Sequence, residues 1–248
     1  MTLRLRDLGW TALAFAALFA TFVPRAALAQ DYAAIVAAPD RSDADRQTDK
    51  RRDPVKLLAF TGVKPGMSVL DIGAGGGYST ELMARAVGPT GKVYAQDEEP
   101  VNQRANQTFE ARAKSPAMKN VVRVLRPYND PAPPEAKNLD LITFFFAYHD
   151  TTYMKVDRAE MNRKLFAALK PGGFLIIADH SAPPEDGTKV GKTFHRIAEA
   201  SLKQEVEAAG FKQVASSDFL RHPEDTRDFI IFRSKVPIDE FVLKFQKP

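Results

Sequence analysis

The chain reads as an α/β domain wound on both faces of a mostly parallel sheet. Three observations predict this. From residue 53 onward, short apolar runs alternate with segments of helical periodicity, the order that gives parallel strands joined by crossover helices. Turn signals such as Lys64-Pro65-Gly66 and Gly88-Pro89-Thr90-Gly91 separate them. The apolar runs also end in polar or ionisable residues, so chemistry accumulates on the carboxyl edge, where ligands bind in such sheets.

Asp53-Pro54 opens the first helix of this domain with an N-cap acid and a proline at the first helical position. Val55, Leu58 and Ala59 form its apolar face, and Gly62 closes it. Strands are expected at Ser68–Ile72, Lys92–Asp97, Val121–Leu125, Leu139–Phe146 and Phe174–Ala178. The phenylalanine run of the fourth suits a strand covered on both faces. Between them, Tyr78, Leu82 and Ala86, then Val101, Ala105, Phe109 and Ala113, then Met161, Leu165 and Leu169 keep helical spacing. Lys170-Pro171-Gly172-Gly173 reads as a helix stop and turn. Thr193–Ala209 reads as one helix ended by Gly210. Gln213–Leu220 and Asp228–Arg233 read as two last strands pairing antiparallel.

The N-terminus is a separate object. Arg4 and Arg6 precede an apolar run, Leu8–Val23, of 16 residues, and Ala27-Leu28-Ala29 supplies small residues at a cleavage site. This is the three-part pattern of a secretory signal over residues 1–29, with the mature chain starting at Gln30 in an exported, periplasmic protein. The run is short against the roughly 20 residues of a membrane span, and an uncleaved anchor is the alternative. Cleavage removes three Arg and one Asp, taking the net charge from +4 to +2. With charges interspersed, neither a nucleic-acid partner nor stable membrane association after cleavage is expected. The chain has no cysteine, which excludes disulfides, thiol catalysis and thiolate metal sites. Residues 30–52 read as a solvated linker or as a lid segment whose Arg46, Arg51 and Arg52 reach an anionic substrate.

Val69-Leu70-Asp71-Ile72-Gly73-Ala74-Gly75-Gly76-Gly77-Tyr78 joins a strand, a glycine turn and a helix start. Glycine allows close backbone approach and positive φ, and the free N–H groups of a helix N-terminus favour an anionic group. Asp97 follows Gly77 by twenty residues, the spacing at which an acid meets ribose hydroxyls. A dinucleotide fingerprint needs glycine at 78, where this chain has Tyr, so a nicotinamide-dependent oxidoreductase is disfavoured. Glycines at 73, 75 and 77, with Asp71 two residues before, resemble the acid-x-Gly-x-Gly-x-Gly motif of class I S-adenosylmethionine-dependent methyltransferases. The Gly88–Val93 turn and Leu169-Lys170-Pro171-Gly172-Gly173 are similar to further segments of that family.

The resemblance covers roughly residues 53 to 235 and implies a Rossmann-like methyltransferase domain over 53–248. It also implies a doubly wound seven-stranded sheet with the last strand antiparallel, and S-adenosyl-L-methionine as cofactor. On it, Asp71, Gly73, Gly75 and Gly77 hold the methionine end, and Asp97 with Glu98 the ribose. Asn129 or Asp130 meets the adenine, where many members carry an Asp directly after strand three.

Methyl transfer from a sulfonium needs alignment of the acceptor and, for some acceptors, removal of a proton. Tyr148-His149-Asp150 leaves strand four, Asp179-His180 leaves strand five, and His195 falls early in the next helix. His149 is the expected general base, Tyr148 shapes the pocket, and His180 is a further candidate. The expected substrate is a small molecule methylated at O or N. No metal ligand set is assigned, but Asp150, Asp179 and His180 with His149 resemble the acids that bind magnesium in catechol-type O-methyltransferases. That leaves a metal-assisted enzyme as one alternative. A non-catalytic S-adenosylmethionine- or nucleoside-binding protein of the same fold is another. The sequence is silent on oligomeric state.

Overall fold

Strand β1 (Ser68–Ile72) lies inside the sheet, and its side chains divide between two cores by the period of two that a strand imposes. Leu70 and Ile72 join one apolar cluster, and Val69 joins the other. The computed structural model describes residues 30–248; the expected signal peptide lies outside the described residues. The remaining strands are β2 (Lys92–Asp97), β3 (Val121–Leu125), β4 (Leu139–Phe145), β5 (Leu169–His180), β6 (Lys212–Ser217) and β7 (Glu240–Gln246). They lie in the order β3-β2-β1-β4-β5-β7-β6. β7 runs antiparallel to both neighbours, and the other pairings are parallel.

Helices cover both faces. On one side α6 (Arg158–Ala168) and α8 (Glu199–Ala208) bury Met161, Leu165, Leu202 and Val206 against Leu70, Phe144 and Leu243. On the other, α3 (Pro54–Thr61) and α4 (Tyr78–Val87) bury Leu57, Leu58, Leu82 and Met83 against Val69, Leu141 and Val242. Helix α5 (Gln103–Arg112) closes a small cluster of Ala74, Ala95, Phe109 and Met118. The chain order turns back between β1 and β4, which creates the crevice where ligands of such sheets sit. No helix of the described residues is long and apolar enough to cross a membrane.

Three local expectations are corrected. The last antiparallel pairing uses Glu240–Gln246, not Asp228–Arg233, which holds only one turn of 3-10 helix and carries Phe232 at 73% exposure. Glu240–Gln246 wins the central place because most of its side chains fill a core on one face or the other. The expected helix Thr193–Ala209 is broken into α7 (Gly191–Phe194) and α8. His195 takes a left-handed φ of 56°, and the fully buried Arg196 pairs with both Asp225 oxygens. A buried guanidinium must keep such a partner, and this pins the backbone outside a helix. The Lys170–Gly173 turn lies within β5, as a register irregularity opposite Leu139 and Leu141.

Residues 30–52 contain α1 (Tyr32–Val36) and α2 (Asp43–Arg52). α2 is fastened by charge. Asp45 takes two bonds from Arg112, which also pairs with Glu81, and Asp49 accepts from Arg41 and from the Tyr78 hydroxyl. Its C-terminal arginines are thereby carried to the carboxyl edge of the sheet.

Candidate active site

The glycine turn has the backbone that only glycine adopts freely, with φ of 66°, 54° and 79° at Gly73, Gly75 and Gly77. Space matters as well. A Cβ at Gly73 would stand 3.0 Å from the Ala147 Cβ and 3.2 Å from the Tyr128 hydroxyl. The loop after β4 therefore presses directly on the glycine loop. Gly75 N–H donates to Asp97 Oδ1 at 2.9 Å, whereas Asp97 Oδ2 is buried with no partner. Burial raises the Asp97 carboxyl above its ordinary range. Helix α4 follows Gly77 as N-cap with no side-chain cap, so no capping side chain takes its first N–H groups.

Beside this crevice lies a cavity of about 360 Å³. Its walls carry Arg51 and Arg52 from α2, Phe146 from the end of β4, and Ile231, Phe232 and Ile238 from the segment before β7. Arg51 reaches Glu240 at 3.2 Å. Arg52 forms no ion pair with any described residue, and its buried Nε has no partner. Its guanidinium lies 4.5 Å from the Phe146 ring centre and 5.3 Å from that of Tyr78. Burial, with Arg51 alongside, pulls its pKa down to about 10, where it is still charged at neutral pH.

The floor is made by His149, Asp150, His180 and His195. His149 is 2% exposed. Its Nδ1 lies 2.7 Å from Asp179 Oδ1, and Asp179 is itself fixed by the backbone N–H groups of His149 and His180, each at 2.8 Å. His149 Nε2 stands 3.1 Å from Asp150 Oδ1 and 3.3 Å from His195 Nδ1, and the latter two atoms are 3.3 Å apart. Three donor atoms thus form a nearly equilateral triangle facing the cavity. His195 gets there because α7 packs tightly on the turn after β4. A Cβ at Gly191 would lie 2.0 Å from Thr152 Oγ1 and 2.7 Å from the His149 carbonyl oxygen. Phe146 and His195 both hold left-handed φ values, 59° and 56°. Such strain in residues other than glycine gathers where a site must be shaped.

A methyltransferase-domain family model matches residues 43–216, well over half of the chain. The chain belongs to this family. The ubiquinone/menaquinone biosynthesis C-methyltransferase UbiE of Shewanella pealeana is 28% identical to it over 185 residues, covering 63% of this chain and 71% of that one. The UbiE of Salmonella arizonae is 26% identical, covering 67% of this chain and 64% of that one. A SAM-dependent methyltransferase from Aquifex aeolicus shares the fold with a TM-score of 0.59, at 23% identity, over 88% of this chain and 99% of that one. The match begins at residue 43, so α2 and its arginines lie inside the methyltransferase domain.

The residues of this methyltransferase fit its cofactor, S-adenosylmethionine. Asp97 Oδ2 is a buried acceptor lacking a donor, as a ribose hydroxyl would provide, and the glycines admit the amino-acid end against backbone. The bound cofactor supplies an electrophilic methyl group on sulfur.

Several expected site residues are placed differently. Asp71, 1% exposed, turns under α4 and accepts from the Thr80 and Thr143 hydroxyls at 2.7 Å each. It braces the glycine loop from beneath, with one threonine hydroxyl on each carboxylate oxygen. Glu98 receives the Tyr128 N–H at 3.4 Å. Asn129 Oδ1 accepts the Asp157 N–H at 2.7 Å, and Asp130 pairs with Arg126. From that loop it is Tyr128, stacked on Phe144, that reaches the glycines. Tyr148 packs in the core, its hydroxyl bonded to Glu205 and Asn162, and does not line the cavity.

The histidines also change roles. Burial opposes charge on His149, but Asp179 and Asp150 outweigh it and lift the ring to about 10. With Nδ1 committed to Asp179, Nε2 is the ring nitrogen left to meet a ligand in the cavity. His180 lines the cavity 2.9 Å from Glu240, but burial drives it down to about 3 and keeps it neutral. Arg46 turns away to the Ala38 carbonyl. Of the residues grouped in the sequence for a metal, Asp179 is spent on orienting His149 and His180 stands against Glu240, so only His149 and Asp150 come together, joined by His195.

Proposed function

We propose that this methyltransferase acts on a small molecule that carries an anionic group and accepts the methyl at O or N. Arg52 carries the reading: its half-buried guanidinium has an orphaned Nε and no carboxylate partner among the described residues, and a ligand anion would complete it. The acceptor's apolar body lies against Phe146, Phe232 and Ile238, and its reacting atom meets the His149–Asp150–His195 floor. That floor is two residues from Ala147, the neighbour of Gly73, so the reacting atom lies beside the methionine end of the cofactor. The bound cofactor would supply the methyl group to the acceptor's lone pair, Arg52 would hold the acceptor's anionic end, and Asp150 or water would take the acceptor's proton.

The test is a screen of carboxylate-, phosphate- and phenol-bearing metabolites with methyl-labelled cofactor. Arg52→Gln should raise the acceptor KM about 10- to 100-fold, the value of one charge-assisted bond of about 1.5–3 kcal/mol. Cofactor affinity should hold. Equal methylation of acceptors lacking an anionic group would overturn the reading. The curated relatives are named as C-methyltransferases, which favours an acceptor carbon as the second reading; the labelled atom in the product decides between them. We also propose export, with the mature chain beginning at Gln30. Sequencing the N-terminus of protein from fractionated cells tests it, and retention of Met1 in the cytoplasmic fraction would refute it.

A further inference from the structure

We infer that His149 Nε2, Asp150 Oδ1 and His195 Nδ1 form a binding site for a first-row divalent transition-metal ion. Geometry carries the argument. The three atoms are separated by 3.1, 3.3 and 3.3 Å. An ion bound at about 2.0–2.2 Å to each of three ligands spaces them about 3.0 Å apart in octahedral and about 3.4 Å in tetrahedral coordination. The triangle falls within that interval, with only the ion's own displacement from the plane left to set.

The surroundings supply what such a site needs. Asp179 takes His149 Nδ1 at 2.7 Å and is held by two backbone N–H groups, so the imidazole is fixed with Nε2 toward the triangle. A carboxylate on the far nitrogen is the usual means of orienting a metal-ligating histidine. His195 is held in its unusual backbone conformation at the end of α7, and the Phe232 ring packs 4.9 Å from its own. Two imidazoles and one carboxylate suit zinc, iron, manganese, cobalt or nickel better than magnesium or calcium, which prefer all-oxygen sets. Three protein ligands leave at least one coordination position open toward the cavity. An acceptor oxygen or nitrogen bound there would release its proton to solvent and be presented to the methyl group. The donor geometry is independent of what the acceptor is.

The purified protein, stripped with a chelator and titrated with Co²⁺ alone, should bind one ion per chain and develop visible absorption bands of a nitrogen- and oxygen-ligated site. Isothermal titration should show His195→Ala weakening binding at least about 30-fold, and Asp150→Asn likewise, while His222→Ala, away from the cluster, leaves it unchanged. His195 is partly exposed at the cavity, so its truncation is compatible with folding; circular dichroism verifies that. No binding to the wild-type protein, or equal binding to wild type and a folded His195→Ala protein, would overturn the assignment.

Discussion

Asp71 offers a stability measurement whose sign follows from its place in the fold. Its carboxyl is 1% exposed, and burial lifts its pKa from 3.8 to about 6 despite the hydrogen bonds from Thr143 and Thr80. Between these two values the folded chain keeps a proton that the unfolded chain has released. The residue's contribution is therefore whole below pH 3.8 and is lost as pH rises through about 6. Two pKa units correspond to about 3 kcal/mol. Asp71→Asn keeps the shape and the capacity to bond both threonines, without a titration. Urea unfolding of both proteins, free of cofactor, should show the difference in stability moving by about 3 kcal/mol in favour of the Asn variant between about pH 4 and pH 7. In melting temperature this is about 6–12 °C for a domain of this size. A pH-independent difference would refute the buried, desolvated carboxyl. Movement in the opposite direction would mean that a cation such as Arg52 holds Asp71 ionised.

Two further outcomes follow from the site. Asp97→Ala removes the acceptor that lacks a donor, so S-adenosylmethionine affinity measured by calorimetry should fall about 10- to 100-fold, the value of a charged hydrogen bond; unchanged affinity would remove Asp97 from the ribose site. Gly191→Ala drives a methyl into Thr152 and the His149 carbonyl, so α7 must retreat, at a cost of about 1–3 kcal/mol in urea unfolding. Co²⁺ affinity should fall with it, and an unaltered protein would show that α7 has slack.

The central sheet was legible because its strands carry simple signals. β1, β2 and β4 are apolar runs covered on both faces and bounded by Gly, Pro or acid. β7 was not legible because Asp228–Arg233 carries a comparable apolar run, and the competition is settled by tertiary partners. The Phe229 carbonyl is taken by Arg196, and Asp225 receives both Arg196 and the Asp239 N–H. The bracing role of Asp71 also had a signal in the sequence. Asp71 shares the face of Val69 in a period-two strand, and that face lies under α4. His195 is 46 residues from His149, and only Gly191 in the intervening chain hinted at the close packing that unites them.

Helix α2 gives the proposed reading its direction. Asp49 accepts from Tyr78, and Asp45 pairs with Arg112, which also holds Glu81, so α2 is fastened to the helix that opens at the glycine loop. The same helix ends in Arg51 and Arg52, so the cavity is positive at its roof, while Asp150 with Asp179 behind it make the floor negative. Arg51 is offset by Glu240, whose own carboxyl is raised to about 7 by burial against the pull of Arg51 and Arg52. The uncompensated charge at the roof is therefore that of Arg52. A neutral acceptor would leave that cation bare and gain nothing from the polarity of the cavity. An acceptor with an anion at one end and an oxygen or nitrogen at the other is oriented by it, reacting atom down, before the methyl group moves. This is why Arg52→Gln is expected to act on the acceptor's KM and not on the cofactor.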